Sequence, residues 1–161
     1  MHIDPQLIVH QTTHWIVNHR INSHLPGYLM LGARANVNEL HELPAEALAE
    51  LGALMAHTQQ VMQSQLQPKR LYIGRYGHTP DQPIHFHFIP VFDWVENLFW
   101  QDPRYRLLQG FGAPNPQTVT DGAELTLFVW REFCERPDPP PAPGLTTEQT
   151  IERLRQAFSA G

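Results

Sequence analysis

Two β-prone runs near the start of the chain predict a pair of antiparallel strands. The run over residues 10–20, which includes Thr12, Trp15 and Val17, predicts one strand. Pro26-Gly27 then marks a turn over residues 22–27, because proline fixes φ and glycine accepts positive φ. Residues 28–34 predict the strand that returns beside the first.

The middle of the chain carries the clearest helical pattern. Pro44 suits a first helical turn and Pro68 ends a helix, so we expect one helix from about 44 to 67. Its apolar residues recur at spacings of three and four, which is typical of a single buried face. The residues expected on that face are Leu48, Leu51, Met55 and Met62.

A second pair of strands is predicted after this helix. Residues 70–76 predict a third strand, 77–83 a tight loop and 84–92 a fourth strand rich in β-formers. Strands on both sides of one long helix, joined by hairpin-like connections, favour an α+β domain with an antiparallel sheet.

The C-terminal third predicts further helices. Residues 93–108 suggest a short helix followed by irregular chain, and Asp121 with Glu124 forms the cap pattern of a helix reaching about residue 136. A strand is the alternative there, because apolar residues also alternate. A proline-rich linker follows at 137–144, and Thr146 begins a capping pattern for a final helix within 145–161. The residues expected on the apolar side of this C-terminal extension are Ile151, Leu154 and Phe158.

Composition limits the possible functions. With 161 residues the chain suits one domain, here 1–136, plus the C-terminal extension. A single cysteine, the absence of a signal-like start and the absence of a long apolar run predict a cytoplasmic protein with no membrane partner. A net charge of −5 with only 11 lysines and arginines argues against binding polymeric nucleic acid, but a small nucleotide needs far fewer contacts.

The strongest chemical signal is a pair of histidines in the fourth strand. Alternate side chains of a strand point to one face, so His85 and His87 should project together while Phe86 and Phe88 enter the core. Three interpretations are open. The pair could have no chemical role, could bind a metal with help from Asp93 or His78, or could attack phosphorus as a nucleophile.

A wider segment resembles the histidine-triad family. Pro26-Gly27-Tyr28 and the apolar residues after it, followed by residues 34–40, are similar to that family's Pro-Gly-His segment. A long helix, a strand, a glycine-containing loop and the histidine strand follow in the family's order, over about residues 10–92, and Ile89-Pro90 matches the end of its motif. The resemblance implies a divergent member, similar to the dinucleoside polyphosphate hydrolases.

The resemblance also implies roles for single residues. Pro83 stands where the family has its first histidine, His85 falls at the nucleophile and His87 at the third position, where it would contact the phosphate or the leaving group. A shifted register would make His87 the nucleophile. The family's other polar residues before the triad are replaced, so the candidates for phosphate contacts are Arg75, His78 and Gln82.

The activity implied is hydrolysis of a dinucleoside polyphosphate or nucleoside phosphoramidate, or nucleotidyl transfer, through a nucleotidyl-histidine. The family's pattern implies a homodimer and requires neither a bound metal nor another cofactor. We expect Ile16 or Leu31 in an apolar pocket for the base. Because the first histidine is missing, a nucleotide-binding module without turnover is an alternative, and a metal-binding protein is another.

Overall fold

Five strands build a single antiparallel sheet in the computed structural model, which describes residues 3–80, 82–107 and 120–160. Its strands are β1 (Ile8–Gln11), β2 (Trp15–His19), β3 (Leu29–Ala33), β4 (Arg70–Gly74) and β5 (His85–Val91). The spatial order is β1-β2-β3-β5-β4, so β5 lies between β3 and β4. The predicted α+β class with an antiparallel sheet is confirmed.

The first predicted strand is in fact a hairpin. A single strand over residues 10–20 is wrong, because the chain turns back after Gln11 and pairs β1 with β2. The hydroxyl oxygen of Thr12 accepts hydrogen bonds from the backbone N–H groups of His14 (3.2 Å) and Trp15 (3.0 Å). A threonine that satisfies the backbone in this way competes with the strand ladder and makes a turn without glycine or proline.

The long helix α1 (Ala45–Leu66) follows the prediction closely. It begins after Pro44 and ends where Gln67 adopts a left-handed conformation, with φ of 49°, before Pro68. Met62 is buried, but Leu48 is 41% exposed, so its place on the buried face is wrong. The buried residues of α1 lie mostly one position before the predicted ones. They are Ala47, Leu54, Thr58, Val61 and Met62.

The other α-helices in the described residues are α2 (Asp93–Gln101), α3 (Gly122–Trp130) and α4 (Thr147–Ala160), and a π-helical turn (Arg131–Glu135) extends α3. Asp121 and Glu124 form the predicted capping box, so this segment is a helix and not a strand. The linker 137–144 contains neither helix nor strand. Three residues from the predicted segments lie outside the described residues: Asp81 in the loop, Leu108 after α2 and Gly161 at the end of the C-terminal extension.

The two faces of the sheet pack against different helices. One face carries Phe86 and Phe88 of β5 and shares an apolar cluster with α1 and α4. The other face carries His85 and His87 and, further along β5, Ile89 and Val91, which pack with α2 and α3. Among the described helices, α2 and α3 thus cover the C-terminal half of β5 on the histidine side. No helix in the described ranges is both long and apolar enough to span a membrane.

Candidate active site

A cleft of about 540 Å³ lies beside the N-terminal half of β5, where both histidines contribute to its wall. Arg20 and Arg34 also line it, and none of the described lining residues is acidic. A positive lining in a chain of net charge −5 favours an anionic ligand. The other lining residues are Ile3, Ile16, Asn18, Ile21, Asn22, Met30, Gly32, Ala33, Gln82 and Pro83.

His85 is oriented by the backbone just before its own strand. Its Nδ1 lies 2.9 Å from the carbonyl oxygen of Pro83. Because a carbonyl can only accept a hydrogen bond, Nδ1 carries the hydrogen and Nε2 carries the lone pair. This hydrogen bond fixes His85 in the tautomer that a nucleophile at Nε2 requires. It is accepted by the main chain of Pro83, which stands where the resemblance places the first histidine.

The edge of His85 that bears this lone pair faces a glycine. A Cβ at Gly77 would lie 2.6 Å from both Nε2 and Cε1 of His85, much closer than any van der Waals contact allows. The loop after β4 therefore approaches the ring to a distance that only glycine permits. Gly77 sets the space beside the candidate nucleophile.

His87 has a different set of partners. Its ring centroid lies 5.2 Å from that of His85, which places both side chains on one face as expected. Nδ1 of His87 is 2.9 Å from the hydroxyl oxygen of Tyr28 and 3.5 Å from Nη1 of Arg20, and Nη1 is 2.8 Å from that hydroxyl. An arginine can only donate, so Tyr28 accepts from Arg20, and the contact between Arg20 and His87 is a hydrogen bond only when Nδ1 carries the lone pair. In that arrangement the Tyr28 hydroxyl donates to Nδ1 of His87.

His87 is consequently a neutral imidazole with its hydrogen on Nε2. Burial, followed by the charge of Arg20 and the proximity of His85, lowers the pKa of His87 to about 3. The side chain is only 4% exposed, and its Nε2 is buried without a hydrogen-bond partner in the described residues. A buried donor with no partner costs roughly 1–3 kcal/mol, and a phosphate oxygen bound in the cleft could satisfy it.

Arg20 and Tyr28 are site residues that the sequence reasoning missed. Arg20 ends the run that forms β2, and nothing in its sequence position marks it. Tyr28 did carry a signal, because it stands where the Pro-Gly-His segment has its histidine. Burial raises the pKa of Tyr28 to about 12 even though Arg20 pulls it down, so the phenol keeps its proton and can donate it to His87.

The three predicted phosphate contacts separate into two groups. Gln82 lines the cleft. Arg75 and His78 instead contact Glu39, at 3.6 Å from Arg75 Nη1 and 2.8 Å from His78 Nε2, and neither is among the lining residues. Arg75 also donates to the backbone carbonyl of Asn38. Their side chains tie the loop after β4 to the segment before α1, and their contact with phosphate stays a prediction.

The metal interpretation finds no third ligand within the described residues. His78 is engaged by Glu39, and Asp93, whose side chain is 82% exposed, lies 3.6 Å from Lys69. Across the described ranges, no three histidine, cysteine, aspartate or glutamate side chains are grouped closely enough to hold an ion.

The two residues expected near a base lie on opposite sides of the sheet. Ile16 lines the cleft, beside Met30 of the neighbouring strand. Leu31 is fully buried among the residues that pack against α1 and α4, so its expected place in the pocket is wrong. The alternation of β3 is the reason, since Met30 and not Leu31 shares the histidine face.

Comparison with known proteins identifies the fold. No family model matches the chain, and no curated protein matches its sequence. Among solved structures, a uridylyltransferase mutant superposes with a TM-score of 0.56 at 16% identity, over 98% of this chain and 44% of that one. A Hit-like protein involved in cell-cycle regulation from Bartonella henselae gives 0.54 at 12% identity, over 96% of this chain and 88% of that one.

The C. elegans NitFhit protein gives a TM-score of 0.50 at 18% identity, over 57% of this chain. The matched part is only 23% of NitFhit, so most of that protein has no counterpart here. At these identities the likeness establishes a shared fold, and function has to be argued from the site itself.

Proposed function

We propose that this chain, which has the histidine-triad fold, is a nucleotide phosphate hydrolase or nucleotidyl transferase that works through a nucleotidyl-histidine at His85. The observation that carries the proposal is the hydrogen bond of 2.9 Å from His85 Nδ1 to the Pro83 carbonyl, which leaves the Nε2 lone pair for attack. The positive cleft and the uridylyltransferase among the neighbours of this fold support a nucleotide as substrate.

In the first step Nε2 of His85 attacks the α-phosphorus of the nucleotide. A nitrogen–phosphorus bond forms as the bond to the leaving group breaks. A polyphosphate leaves as an anion, and an amine leaves with a proton taken from water. The His85 ring becomes cationic, and the Pro83 carbonyl stabilises that charge by accepting the Nδ1 hydrogen.

In the second step the oxygen of water bonds to the same phosphorus as the nitrogen–phosphorus bond breaks and one proton of the water passes to the solvent. This step releases the nucleoside monophosphate and returns His85 to its neutral form. A nucleotidyl transferase would use another acceptor in place of water. His87 supplies a hydrogen bond from Nε2–H to a phosphate oxygen, and Arg34 supplies positive charge along the cleft. With a pKa near 3, His87 acts as a neutral donor and not as a general acid.

The proposal also covers the residues that contact substrate, the oligomeric state, the location and the substrate class. Gln82 is a candidate for a direct substrate contact because it lines the cleft. Arg75 and His78 would reach phosphate only after leaving Glu39. A homodimer in the cytoplasm, with dinucleoside polyphosphates or nucleoside phosphoramidates as substrates, follows from the resemblance and is part of the proposal.

Trapping the covalent adduct tests the mechanism. The protein is mixed with a dinucleoside polyphosphate or adenosine 5′-phosphoramidate, quenched without acid and mapped by mass spectrometry. We expect a nucleotidyl group on His85, lost in His85→Ala and retained in His41→Ala, which changes an exposed histidine. A group on His87 would establish the alternative register and refute the role of His85.

One observation favours a second function. Pro83 replaces the first histidine of the triad, so the chain could bind nucleotides without turning them over. Calorimetry would detect nucleotide binding. If binding occurred but no adduct or product formed across a panel of substrates, the chain would be a nucleotide-binding module without turnover.

A further inference from the structure

A chain of contacts links the C-terminal region to His87. The guanidinium of Arg20 lies 5.1 Å from the ring centroid of Tyr28 and 5.2 Å from that of Trp130, at the end of α3. Both distances are typical of cation–π contacts, so the group is in contact with two aromatic rings. Trp130, whose helix follows the part of the chain that resembles the family, thereby reaches the active site.

Two hydrogen bonds made by the edge of the Arg20 guanidinium fix the orientation of this group. Nε donates to Oδ1 of Asn22 at 2.8 Å, and Nη1 donates to the Tyr28 hydroxyl at 2.8 Å. Tyr28 is itself only 1% exposed, so its hydroxyl has little freedom to rotate toward water. The direction of hydrogen bonding therefore runs from Arg20 through Tyr28 to His87.

We propose that Arg20 is a positioning residue of the active site, which acts through Tyr28 to hold His87 in the Nε2–H tautomer that donates to the phosphate. The benefit to catalysis rests on the proposed function, but the tautomer of His87 is a property of the resting protein and can be measured without substrate.

Within the described ranges, four side chains lie against His87, and they act on its protonation together with burial. Arg20 and Tyr28 lie at Nδ1, His85 lies beside it on β5, and Tyr76 meets it edge-on with ring centroids 5.3 Å apart. None of these is acidic, so no neighbour among them favours a second proton on His87. Arg20 is the one full positive charge in the set, and it also determines which way the Tyr28 hydroxyl points.

Nitrogen-15 NMR of the imidazoles tests this arrangement in the ligand-free protein. We expect the wild type to show His87 with a protonated Nε2 and an unprotonated Nδ1. Arg20→Gln removes the charge and Tyr28→Phe removes the hydroxyl while keeping the ring, and each should give a mixture of the two tautomers. Arg20→Lys, which restores the charge, should recover most of the Nε2–H form. The matched control is Arg153→Gln, which changes an exposed arginine on α4 and should leave the His87 spectrum unchanged.

Steady-state kinetics separate positioning from direct substrate binding. We expect Arg20→Gln to lower kcat about tenfold or more with a smaller change in KM, because a preorganised donor is worth about a hundredfold when it is removed outright. His87 spectra that are unchanged in both Arg20→Gln and Tyr28→Phe would overturn the proposal, even if activity fell. Altered His87 spectra in both variants, together with a wild type that forms no nucleotidyl adduct, would support the positioning role and refute the proposed function instead.

Discussion

The two histidines of the site are chemically identical residues that their partners set in opposite tautomers. A backbone carbonyl, which only accepts, places the hydrogen of His85 on Nδ1. A tyrosine hydroxyl that already accepts from Arg20 places the hydrogen of His87 on Nε2. One ring thus offers a lone pair and its neighbour offers a donor on the same face of the sheet. Environment assigns these roles, since the side chains themselves are equivalent.

Gly77 gives a sharp test of this geometry at a single residue. In Gly77→Ala the new Cβ would lie 2.6 Å from His85 Nε2, so either the ring or the loop has to move. Displacement of a reacting atom by about 1 Å can cost about a hundredfold in rate. We expect kcat to fall by about that factor, measured by steady-state kinetics, with a thermal midpoint close to that of the wild type.

The matched control is Gly52→Ala in the middle of α1, where an added Cβ meets nothing within 4 Å. Alanine favours a helix interior over glycine by about 1 kcal/mol, so this variant should be slightly more stable and fully active. If Gly77→Ala kept wild-type kcat, the close approach of the loop to His85 would have no part in the chemistry.

His87 also makes the stability of the protein depend on pH. Its pKa is about 3 in the folded chain and near 6.5 when unfolded, so only the unfolded chain takes up a proton between these values. The His87 contribution to the free energy of unfolding is complete well above pH 6.5 and falls as the pH drops toward 3, at a rate that approaches about 1.4 kcal/mol per pH unit. Between pH 6.5 and 5 this contribution should fall by about 1.6 kcal/mol.

Urea denaturation of His87→Gln at both pH values checks this expectation. Glutamine does not titrate, so the variant should lose less stability on acidification than the wild type, even if it is less stable at pH 7. His41→Gln, at an exposed position, should follow the wild type. An equal loss in His87→Gln and the wild type would assign the acid sensitivity to other groups, such as buried His19, whose pKa burial also lowers.

At the scale of elements, the sequence predicted well those features that depend on nearby residues. Capping pairs, the prolines at both ends of α1 and the alternation of β5 act over a few positions, and each is confirmed. The β1–β2 turn was missed because Thr12 and Thr13 are strand formers that serve here in a turn. Leu48 was misplaced because apolar residues border both sides of the buried stripe of α1.

The hydrogen-bonded chain from Arg20 through Tyr28 to His87 could not be predicted, because it depends on the register between strands. Arg20 and Tyr28 are 67 and 59 residues away from His87 in the chain. They meet it because Met30 of β3 pairs with His87 of β5, which brings the start of β3 beside the histidines. A single sequence gives the alternation of each strand but not the register between strands. The sequence could therefore indicate His85 as the candidate nucleophile, but not the groups that orient His87 beside it.

At the scale of the whole molecule, the sheet lies between the histidine cleft on one face and the apolar cluster that includes α4 on the other. Trp130 of α3 reaches the cleft side through Arg20. Helix α4 packs with β1 and α1 on the opposite side, where Ile151, Leu154 and Phe158 are buried. Changes in α4 should therefore affect folding, and changes near Trp130 should affect the site.

Leu154→Ala tests this separation. Leu154 is fully buried, and truncation of a buried leucine costs about 2–5 kcal/mol through lost burial and the cavity that remains. We expect that loss in urea denaturation, whereas exposed Gln156→Ala should stay within about 0.5 kcal/mol of the wild type. Because the sheet lies between Leu154 and the histidines, kcat and KM measured well below the unfolding midpoint should match the wild type. A change in kcat under those conditions would show that the two faces of the sheet are coupled, and that α4 helps to set the geometry of β5 as well as the stability of the chain.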